Sequence, residues 1–224
     1  MPLNLQTPII YLITSGETTQ TASPASEGFA RLLALVASAV AARVQLIQLR
    51  EKNLQARALY ELTTRAAQIT RGSATRLLVN DRADVARAAG ADGVHLTTRS
   101  LEAHVVRRAF PRDFLIGVST HSLDEARAAR DGGADFVTFG PVFETPSKRE
   151  YGPPLGLEKL GEAARSLSPF PLIALGGITR ENAPDVLGAG ASGVAAIRLF
   201  GDSRNLDAAV RTIRNHASSL QRCS

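Results

Sequence analysis

One pattern recurs along this sequence: a short apolar run of the kind that forms a buried strand ends in a polar or charged cluster. Such runs occupy residues 44–49, 77–79, 93–96, 116–118 and 172–175. In a parallel α/β barrel the carboxyl ends of all strands meet at one mouth, and that mouth carries the chemistry. The pattern therefore predicts a fold and also the end of that fold at which a site forms.

These runs belong to eight strand-then-helix cycles. We place the strands at residues 9–14, 44–50, 76–80, 93–96, 115–119, 136–142, 171–175 and 193–199. The helices fall at residues 27–42, 55–70, up to 89, 100–110, 123–131, 157–167, 180–187 and 205–220. Regular alternation predicts a parallel sheet. Eight cycles favour closure into a single-domain (β/α)8 TIM barrel over residues 1–224, with a doubly wound open sheet as the alternative.

Three turns into strands repeat one motif. Residues 90–93, 133–136 and 190–193 each begin with Gly-Ala and continue with Asp or Ser. Each is typical of a glycine that ends a helix, followed by a tight turn into a buried strand. Ser122 and Glu125 have capping-box spacing, which predicts the start of the fifth helix.

Composition narrows the class of partner. A chain of 224 residues with 44% hydrophobic composition can bury one sizeable core. A net charge of +5 suits anionic small molecules, whereas the absence of any Lys/Arg block of five or more argues against nucleic acid. Cys223 is the only cysteine, so no disulfide or cysteine metal site forms within one chain.

The sequence also bears on location. The longest apolar run, residues 32–42, is interrupted by Ser38 and is too short to span a bilayer. The first residues lack the charged and apolar regions of a signal peptide. We therefore expect a cytoplasmic protein with no membrane partner. The oligomeric state is not fixed by the sequence, and a homo-oligomer is one of the states that it allows.

The second strand carries the strongest site signal. Side chains two apart on a strand share a face, so if Leu46 points into the barrel, Gln48, Arg50 and Lys52 follow it to the mouth. Two cations side by side repel each other unless an anion joins them. The triple therefore predicts an anion site, although Lys52 alone also fits a solvated strand end.

Asn80 and Asp81 end the third strand. A carboxylate beside a cationic row is where Mg²⁺ would sit if the anion were a diphosphate, although one carboxylate is a weak metal signal. Capping of the third helix is the alternative for Asp81, and it leaves Asn80 unexplained.

Ser119 and His121 end the fifth strand. At a barrel mouth, an acid/base role for His121 and a plain surface-loop histidine are about equally compatible with the sequence. His95 lies inside the fourth strand, where we expect it to be a core residue or to support the site from behind.

A phosphate corner is predicted after the last two strands. Gly176 and Gly177 follow the seventh strand and open a helix at Thr179, where bare backbone N–H groups favour a phosphate. Arg198 lies near the end of the eighth strand, beside the same corner. The loop at residues 143–149, rich in hydroxyls and cations, is predicted to be functional as well.

Taken together, these motifs make the chain resemble the thiamine phosphate synthase/TenI family of small α/β barrels over nearly its whole length. The strings that carry the resemblance are residues 48–52, 80–86, 90–96, 117–122, 139–143, 145–148 and 176–178. Synthases of the family join an aminopyrimidine methyl diphosphate to a thiazole phosphate and release pyrophosphate. The resemblance implies these phosphorylated small molecules as substrates and Mg²⁺ as cofactor.

The resemblance also implies roles for single residues. The pyrimidine diphosphate would be held by Gln48, Arg50, Lys52 and Asn80, and Mg²⁺ by Asp81.

Further roles follow for the reacting groups. Lys148 would stabilise the leaving group, and Ser119 would touch the reacting ring or the diphosphate. Thr145, Ser147 and Gly177 would hold the thiazole phosphate.

Two departures from the family stand out. The synthases usually carry Gly-Gln-x-Asp after the fourth strand, whose Asp is a second Mg²⁺ ligand, whereas this chain has Thr97-Thr98-Arg99-Ser100. Ser100 is a poor Mg²⁺ ligand, and we expect it to cap the fourth helix. Arg198 replaces a phosphate-binding Ser of the family, and an Arg can still bind phosphate with altered geometry.

The family contains a second activity. The stretch 139–145 looks closer to the TenI branch, whose members aromatise a thiazole carboxylate phosphate with a His in the position of His121. Retention of residues 48–52 and 80–81 favours the synthase, because a tautomerase has no diphosphate to bind. The alternatives are a thiazole tautomerase and a non-catalytic regulator that binds a phosphate ligand.

Overall fold

The computed structural model describes residues 7–145 and 153–222. Within them, strands and helices alternate in the order that the sequence predicts. The elements are β1 (Ile9–Ile13), α1 (Glu27–Ala41), β2 (Leu46–Leu49), α2 (Ala56–Thr70), β3 (Arg76–Asn80), α3 (Ala83–Ala89), β4 (Gly93–Leu96), α4 (Ala103–Ala109), β5 (Leu115–Thr120), α5 (Leu123–Asp131), β6 (Phe136–Phe139), α6 (Gly156–Leu167), β7 (Leu172–Leu175), α7 (Ala183–Gly188), β8 (Gly193–Ala196) and α8 (Leu206–Arg222).

The sheet closes on itself. Each strand pairs in parallel with the next, and β8 pairs with β1. The closing register joins Ile9 to Gly193 and Leu12 to Ala196, and the N–H of Ile9 donates to the carbonyl of Ser192 over 2.9 Å. The (β/α)8 barrel is therefore confirmed, and the open-sheet alternative is excluded.

Alternate strand residues fill the inside of the barrel. This inner cluster comprises Ile9, Tyr11, Ile13, Leu46, Leu78, Phe136, Ile173 and Ala195. The rings of Tyr11 and Phe136 meet edge to face, with centroids 5.6 Å apart. Gly117 leaves the space for this ring, because a Cβ there would lie 2.3 Å from Phe136 Cζ. Leu46 points inward, as the prediction for β2 required.

The helix ends largely follow the predicted turn chemistry. The side chain of Ser122 accepts a hydrogen bond from the backbone N–H of Glu125, which confirms the predicted cap of α5. Gly90 ends α3 in the left-handed region, with φ of 76°, and the other two copies of the motif repeat this conformation. Among the helices of the described residues, none is long and apolar enough to cross a membrane.

Four polar side chains tie strands together at the amino-terminal end of the barrel. Each precedes an even-numbered strand and accepts a hydrogen bond from a backbone N–H of the odd-numbered strand before it. The pairs are Gln45 Oε1 with Ile10 N (3.1 Å), Asp92 Oδ2 with Leu77 N (2.8 Å), Asp135 Oδ2 with Ile116 N (2.7 Å) and Ser192 Oγ with Leu172 N (3.3 Å). The third residue of the Gly-Ala motif thus joins two strands, a role that turn chemistry alone does not predict.

Several strands are shorter than predicted. β6 ends at Phe139 rather than Val142, because Gly140 and Pro141 follow and proline has no N–H to donate to the sheet. β2 and β8 have four residues each, so Arg50 and Arg198 lie in the loops that follow these strands. Both side chains still reach the mouth.

Neither the predicted cap of α4 nor the capping alternative for Asp81 is observed. Ser100 does not cap α4, which begins at Ala103. Its Oγ instead accepts the backbone N–H of Thr97 over 2.7 Å. Asp81 does not cap α3, because the residue at the cap position is Arg82 and no side chain bonds there. The capping alternative for Asp81 is therefore excluded.

Asp135→Ala should lower the free energy of unfolding by about 2–3 kcal/mol, because it removes the acceptor of both Ile116 N–H and a partly buried guanidinium. That guanidinium belongs to Arg107, whose Nη2 lies 2.6 Å from the carboxylate. Urea unfolding followed by circular dichroism measures the loss. The control is Asp131→Ala, which removes a carboxylate paired with Arg130 on the surface and should cost less than about 0.5 kcal/mol. Equal losses in both variants would contradict the role of Asp135.

Candidate active site

A cavity of about 500 Å³ opens at the carboxyl ends of the strands. Every predicted site residue that the structure describes lines this cavity, with the exception of Asp81. The lining residues among them are Gln48, Arg50, Lys52, Asn80, Ser119, His121, Thr145, Gly176, Gly177 and Arg198. Ser147 and Lys148 lie outside the described residues. The barrel thus collects at one place residues from β2, β3 and β5 and from the loops that follow β2, β5, β6, β7 and β8.

The row on β2 faces the cavity as side-chain alternation predicts. Arg50 Nη1 donates to the carbonyl of Ser15 over 3.4 Å. Partial burial lowers the pKa of Lys52, and the neighbouring charges of Arg50 and Arg99 lower it further. Like charges held this close disfavour one another, so an anion in the cavity would relieve the repulsion.

Asp81 occupies a different position from the other predicted residues. It is exposed, its φ is 64°, and its N–H donates to the carbonyl of His95 over 2.9 Å. In residues 7–145 and 153–222 no group of three or more His, Cys, Asp or Glu side chains could hold a metal ion. The described residues therefore do not form a metal site of their own, and Mg²⁺ stays a prediction that depends on Asp81 and substrate oxygens.

A buried chain of hydrogen bonds crosses the barrel from β2 to β5. Gln48 Nε2 donates to Tyr11 Oη over 2.8 Å, and Tyr11 Oη lies 3.0 Å from His95 Nδ1. His95 Nε2 lies 2.9 Å from Ser119 Oγ. Gln48 Nε2 can only donate, so among the contacts of the phenol oxygen His95 Nδ1 is the acceptor for its hydrogen, and the imidazole hydrogen is then on Nε2. Ser119 Oγ therefore accepts from His95, and its own hydrogen can be donated to a ligand.

Burial keeps Tyr11 and His95, the two central groups of this hydrogen-bond network, neutral. It lowers the pKa of His95 to about 3 and raises the pKa of Tyr11. A neutral imidazole with a fixed tautomer can position Ser119 but is not a source of positive charge at neutral pH. Tyr11 was not predicted as a site residue, because in the sequence it is one more large residue in a buried strand.

His121 lines the cavity at its rim. Its Nδ1 is hydrogen-bonded to the carbonyl of Gly140, and its backbone N–H donates to Glu125 Oε2 over 2.6 Å. A carbonyl can only accept, so Nδ1 carries the hydrogen, and in the neutral ring Nε2 holds the lone pair. This is the tautomer that a general base at Nε2 requires, and the acid/base role of His121 stays a prediction.

The predicted phosphate corner is assembled from three elements. Arg198 Nη2 donates to Thr145 Oγ1 over 3.3 Å, and Gly176 and Gly177 line the cavity beside them. Gly177 has φ of 66°, and a Cβ there would lie 2.7 Å from Phe143 Cβ. A larger residue would therefore displace the neighbouring loop.

The predicted helix at this corner starts later than expected. Thr179 N donates to Asn182 Oδ1 over 2.8 Å and Asn182 N donates to Thr179 Oγ1 over 3.3 Å, which closes a turn before α7 begins at Ala183. Asn182 Nδ2 also donates to the carbonyl of Gly177 over 2.9 Å. A phosphate at this corner would therefore meet side chains and loop backbone rather than a helix terminus.

Glu51 is a buried residue that the sequence did not single out. Its carboxylate accepts from the hydroxyls of Thr14 and Thr18, both at 2.5 Å, and from the backbone N–H groups of Gly16 and Thr18, both at 3.3 Å. The loop between β1 and α1 is folded around this carboxylate. Other residues of that loop line the cavity, so Glu51 shapes the site from behind.

A barrel whose mouth presents cations, hydroxyls and glycine backbone belongs to the class of TIM-barrel proteins that handle phosphorylated small molecules. A sequence profile described as "Thiamine monophosphate synthase" matches residues 10–200. The chain belongs to this family, as the resemblance indicated.

Individual relatives agree with this membership. A putative thiamine-phosphate synthase of Geobacter sulfurreducens is 49% identical over 166 residues, which is 74% of this chain and 78% of the relative. A thiamine-phosphate synthase of Roseiflexus sp. is 38% identical over 92% of this chain and 83% of its own length. A solved thiamine phosphate pyrophosphorylase from Pyrococcus furiosus has a TM-score of 0.78 at 32% identity, covering 94% of this chain and 96% of that one.

The pH dependence of stability should reveal the neutral state of His95. The folded protein holds the pKa of His95 at about 3, below the unfolded value of 6.5, so protonation favours unfolding and stability falls as pH drops from 6.5 towards 3. Between pH 7 and pH 5.5 this contributes about 1 kcal/mol of loss. We expect His95→Gln to remove this contribution to the pH dependence of the free energy of unfolding, which urea unfolding at each pH measures. The exposed variant His104→Gln should keep it, and a wild-type slope in His95→Gln would contradict this account.

Glu51→Gln should loosen the loop between β1 and α1, because an amide has one acceptor oxygen where four donors converge on a carboxylate. Hydrogen bonds to charged groups contribute about 1.5–3 kcal/mol, so amide exchange at Gly16 and Thr18 should rise at least about tenfold. Amide exchange followed by NMR measures this. Glu162→Gln, at an exposed position of α6, serves as the control. Unchanged protection of Gly16 and Thr18 would show that the carboxylate does not hold the loop.

Proposed function

We propose that this protein is a thiamine phosphate synthase, which couples hydroxymethylpyrimidine diphosphate to thiazole phosphate and releases pyrophosphate. The observation that carries the proposal is that cationic and hydroxyl side chains line two regions of one cavity. Arg50 and Lys52 supply the first from the end of β2, and Thr145 and Arg198 supply the second from the loops after β6 and β8. Two phosphorylated substrates fit such a cavity better than one, and the synthase relatives support the same conclusion.

The reaction requires no covalent bond between the protein and either substrate. The bond between the pyrimidine methylene carbon and the diphosphate oxygen breaks, and its electron pair leaves on the oxygen. The thiazole nitrogen then supplies the pair for the new carbon–nitrogen bond, so no side-chain nucleophile is needed. Cations that face the diphosphate stabilise the charge that develops there, and binding both substrates in one cavity supplies orientation.

The residues of this chain divide these tasks. Arg50 and Lys52 face the departing diphosphate, with Gln48 and Asn80 as amide partners. By resemblance, Lys148 adds a further cation to the leaving group.

Ser119 lies opposite this row across the barrel. Because His95 already donates to its oxygen, the Ser119 hydroxyl is directed to donate towards the reacting ring or the diphosphate. Ser147, by resemblance, joins Thr145 and the glycines at the thiazole phosphate. The resemblance implies Mg²⁺, with Asp81 as its ligand, and no step above depends on the ion.

A second candidate function is a thiazole tautomerase on the same barrel. The observation that favours it is the tautomer of His121, whose Nδ1 is tied to the carbonyl of Gly140. A base at Nε2 can move the protons that aromatisation requires. A third reading is a regulator that binds phosphorylated ligands without reaction. A cytoplasmic location, a homo-oligomer and the absence of a nucleic-acid partner remain predictions.

Incubation with both synthase substrates and Mg²⁺ should yield thiamine phosphate and pyrophosphate in equal amounts. We expect Arg50→Ala and Lys148→Ala each to lower kcat/KM at least about a hundredfold, because each removes a charge that stabilises the leaving group. Arg112→Gln removes a cation in the turn that leads into β5, at the opposite end of the barrel, and should keep full activity.

The outcomes separate the candidates. Equal activity in Arg50→Ala and Arg112→Gln would contradict the assignment of the diphosphate site. No condensation together with thiazole aromatisation that His121→Ala abolishes would favour the tautomerase. Ligand binding with neither reaction would favour the regulator.

A further inference from the structure

The loop after β4 is a turn closed by its own hydrogen bonds. Within it, Ser100 N donates to the carbonyl of Thr97 over 3.0 Å, and Thr97 N donates to Ser100 Oγ over 2.7 Å. The two hydroxyls lie 3.1 Å apart, and Arg99 N donates to Thr97 Oγ1 over 3.3 Å. The hydroxyl of Ser100 is therefore engaged inside the turn, and Ser100 does not line the cavity.

The same turn presents Arg99 to the site. Arg99 lines the cavity together with Arg50 and Lys52, although it comes from β4 rather than β2. Its charge acts on Lys52 strongly enough to contribute to the lowered pKa of that amine. A guanidinium is always charged and offers five N–H donors in a planar fork that matches phosphate oxygens.

Carboxylates are scarce where these cations meet. Among the described residues that line the cavity, Glu17 is the one carboxylate. Asp81 acts on Lys52 from outside the lining. Mg²⁺ at a diphosphate is usually held by one or two carboxylates together with phosphate oxygens and water, whereas the cations of this cavity can meet the phosphate oxygens directly.

We propose that Arg99 is a third cationic ligand of the diphosphate, and that this chain holds the diphosphate through its own cations without requiring a divalent metal ion. The proposal rests on the proposed function for the identity of the substrate. None of the motifs in the sequence assigns this role to Arg99. The positive charge that a bound metal ion would bring to the β4 side of the cavity is provided here by a guanidinium.

Direct binding of inorganic pyrophosphate tests the proposal without any reaction. In isothermal titration calorimetry with EDTA present, the wild-type protein should bind pyrophosphate, and Arg99→Gln should weaken binding at least about tenfold, as expected for a charge-assisted contact. Arg99→Lys, which keeps the charge but not the fork, should fall between the two. Arg112→Gln, a loss of charge at the other end of the barrel, should change binding less than about twofold.

The metal-free part of the proposal has its own test. For the wild-type protein, Mg²⁺ should change the Kd for pyrophosphate less than about threefold.

Two results would overturn the proposal: binding by Arg99→Gln as tight as by Arg112→Gln, or wild-type binding that appears only with Mg²⁺. Both readouts are independent of thiamine phosphate formation. A protein that binds pyrophosphate through Arg99 but catalyses no condensation would leave this inference standing and remove the proposed function. An active synthase in which Arg99→Gln binds pyrophosphate as tightly as the wild type would support the proposed function and overturn this inference.

Discussion

The pairing of β8 with β1 is the constraint on which the site depends. An open sheet would spread its strand ends along a line, whereas closure arranges the ends of all strands around one opening. Arg50, Ser119 and Arg198 thereby come to line a single cavity despite their distance in sequence. The chemistry of the mouth follows from this geometry, because each cation meets its neighbours in a confined volume.

The mouth and the interior beneath it behave as two electrostatic layers. At the mouth, neighbouring cations repel one another, and a bound anion would relieve this repulsion. In the interior, burial keeps Tyr11 and His95 neutral, and their hydrogen bonds orient Ser119. A charged imidazole directly under the cationic row would add to the repulsion. Because Tyr11 and His95 are neutral, they orient the hydroxyl of Ser119 without changing the charge of the cavity.

Periodicity was enough to predict the barrel, its strand order and the gathering of most site residues, because alternation on a strand decides which side chains face the mouth. It was not enough for contacts between strands. The bond from Tyr11 to His95 depends on the stagger between β1 and β4, and the burial of Glu51 depends on a loop folding back from β1. Arg99 was overlooked because its orientation follows from hydrogen bonds inside a turn, which no spacing rule encodes.

The polar ties at the amino-terminal end divide the barrel into four strand pairs. The ties span between 15 residues, from Leu77 to Asp92, and 35 residues, from Ile10 to Gln45. Such a tie needs only the two strands that it joins, so it does not depend on the closure of the ring between β8 and β1. Each quarter of the barrel thus has a polar contact of its own in addition to the backbone hydrogen bonds of the sheet.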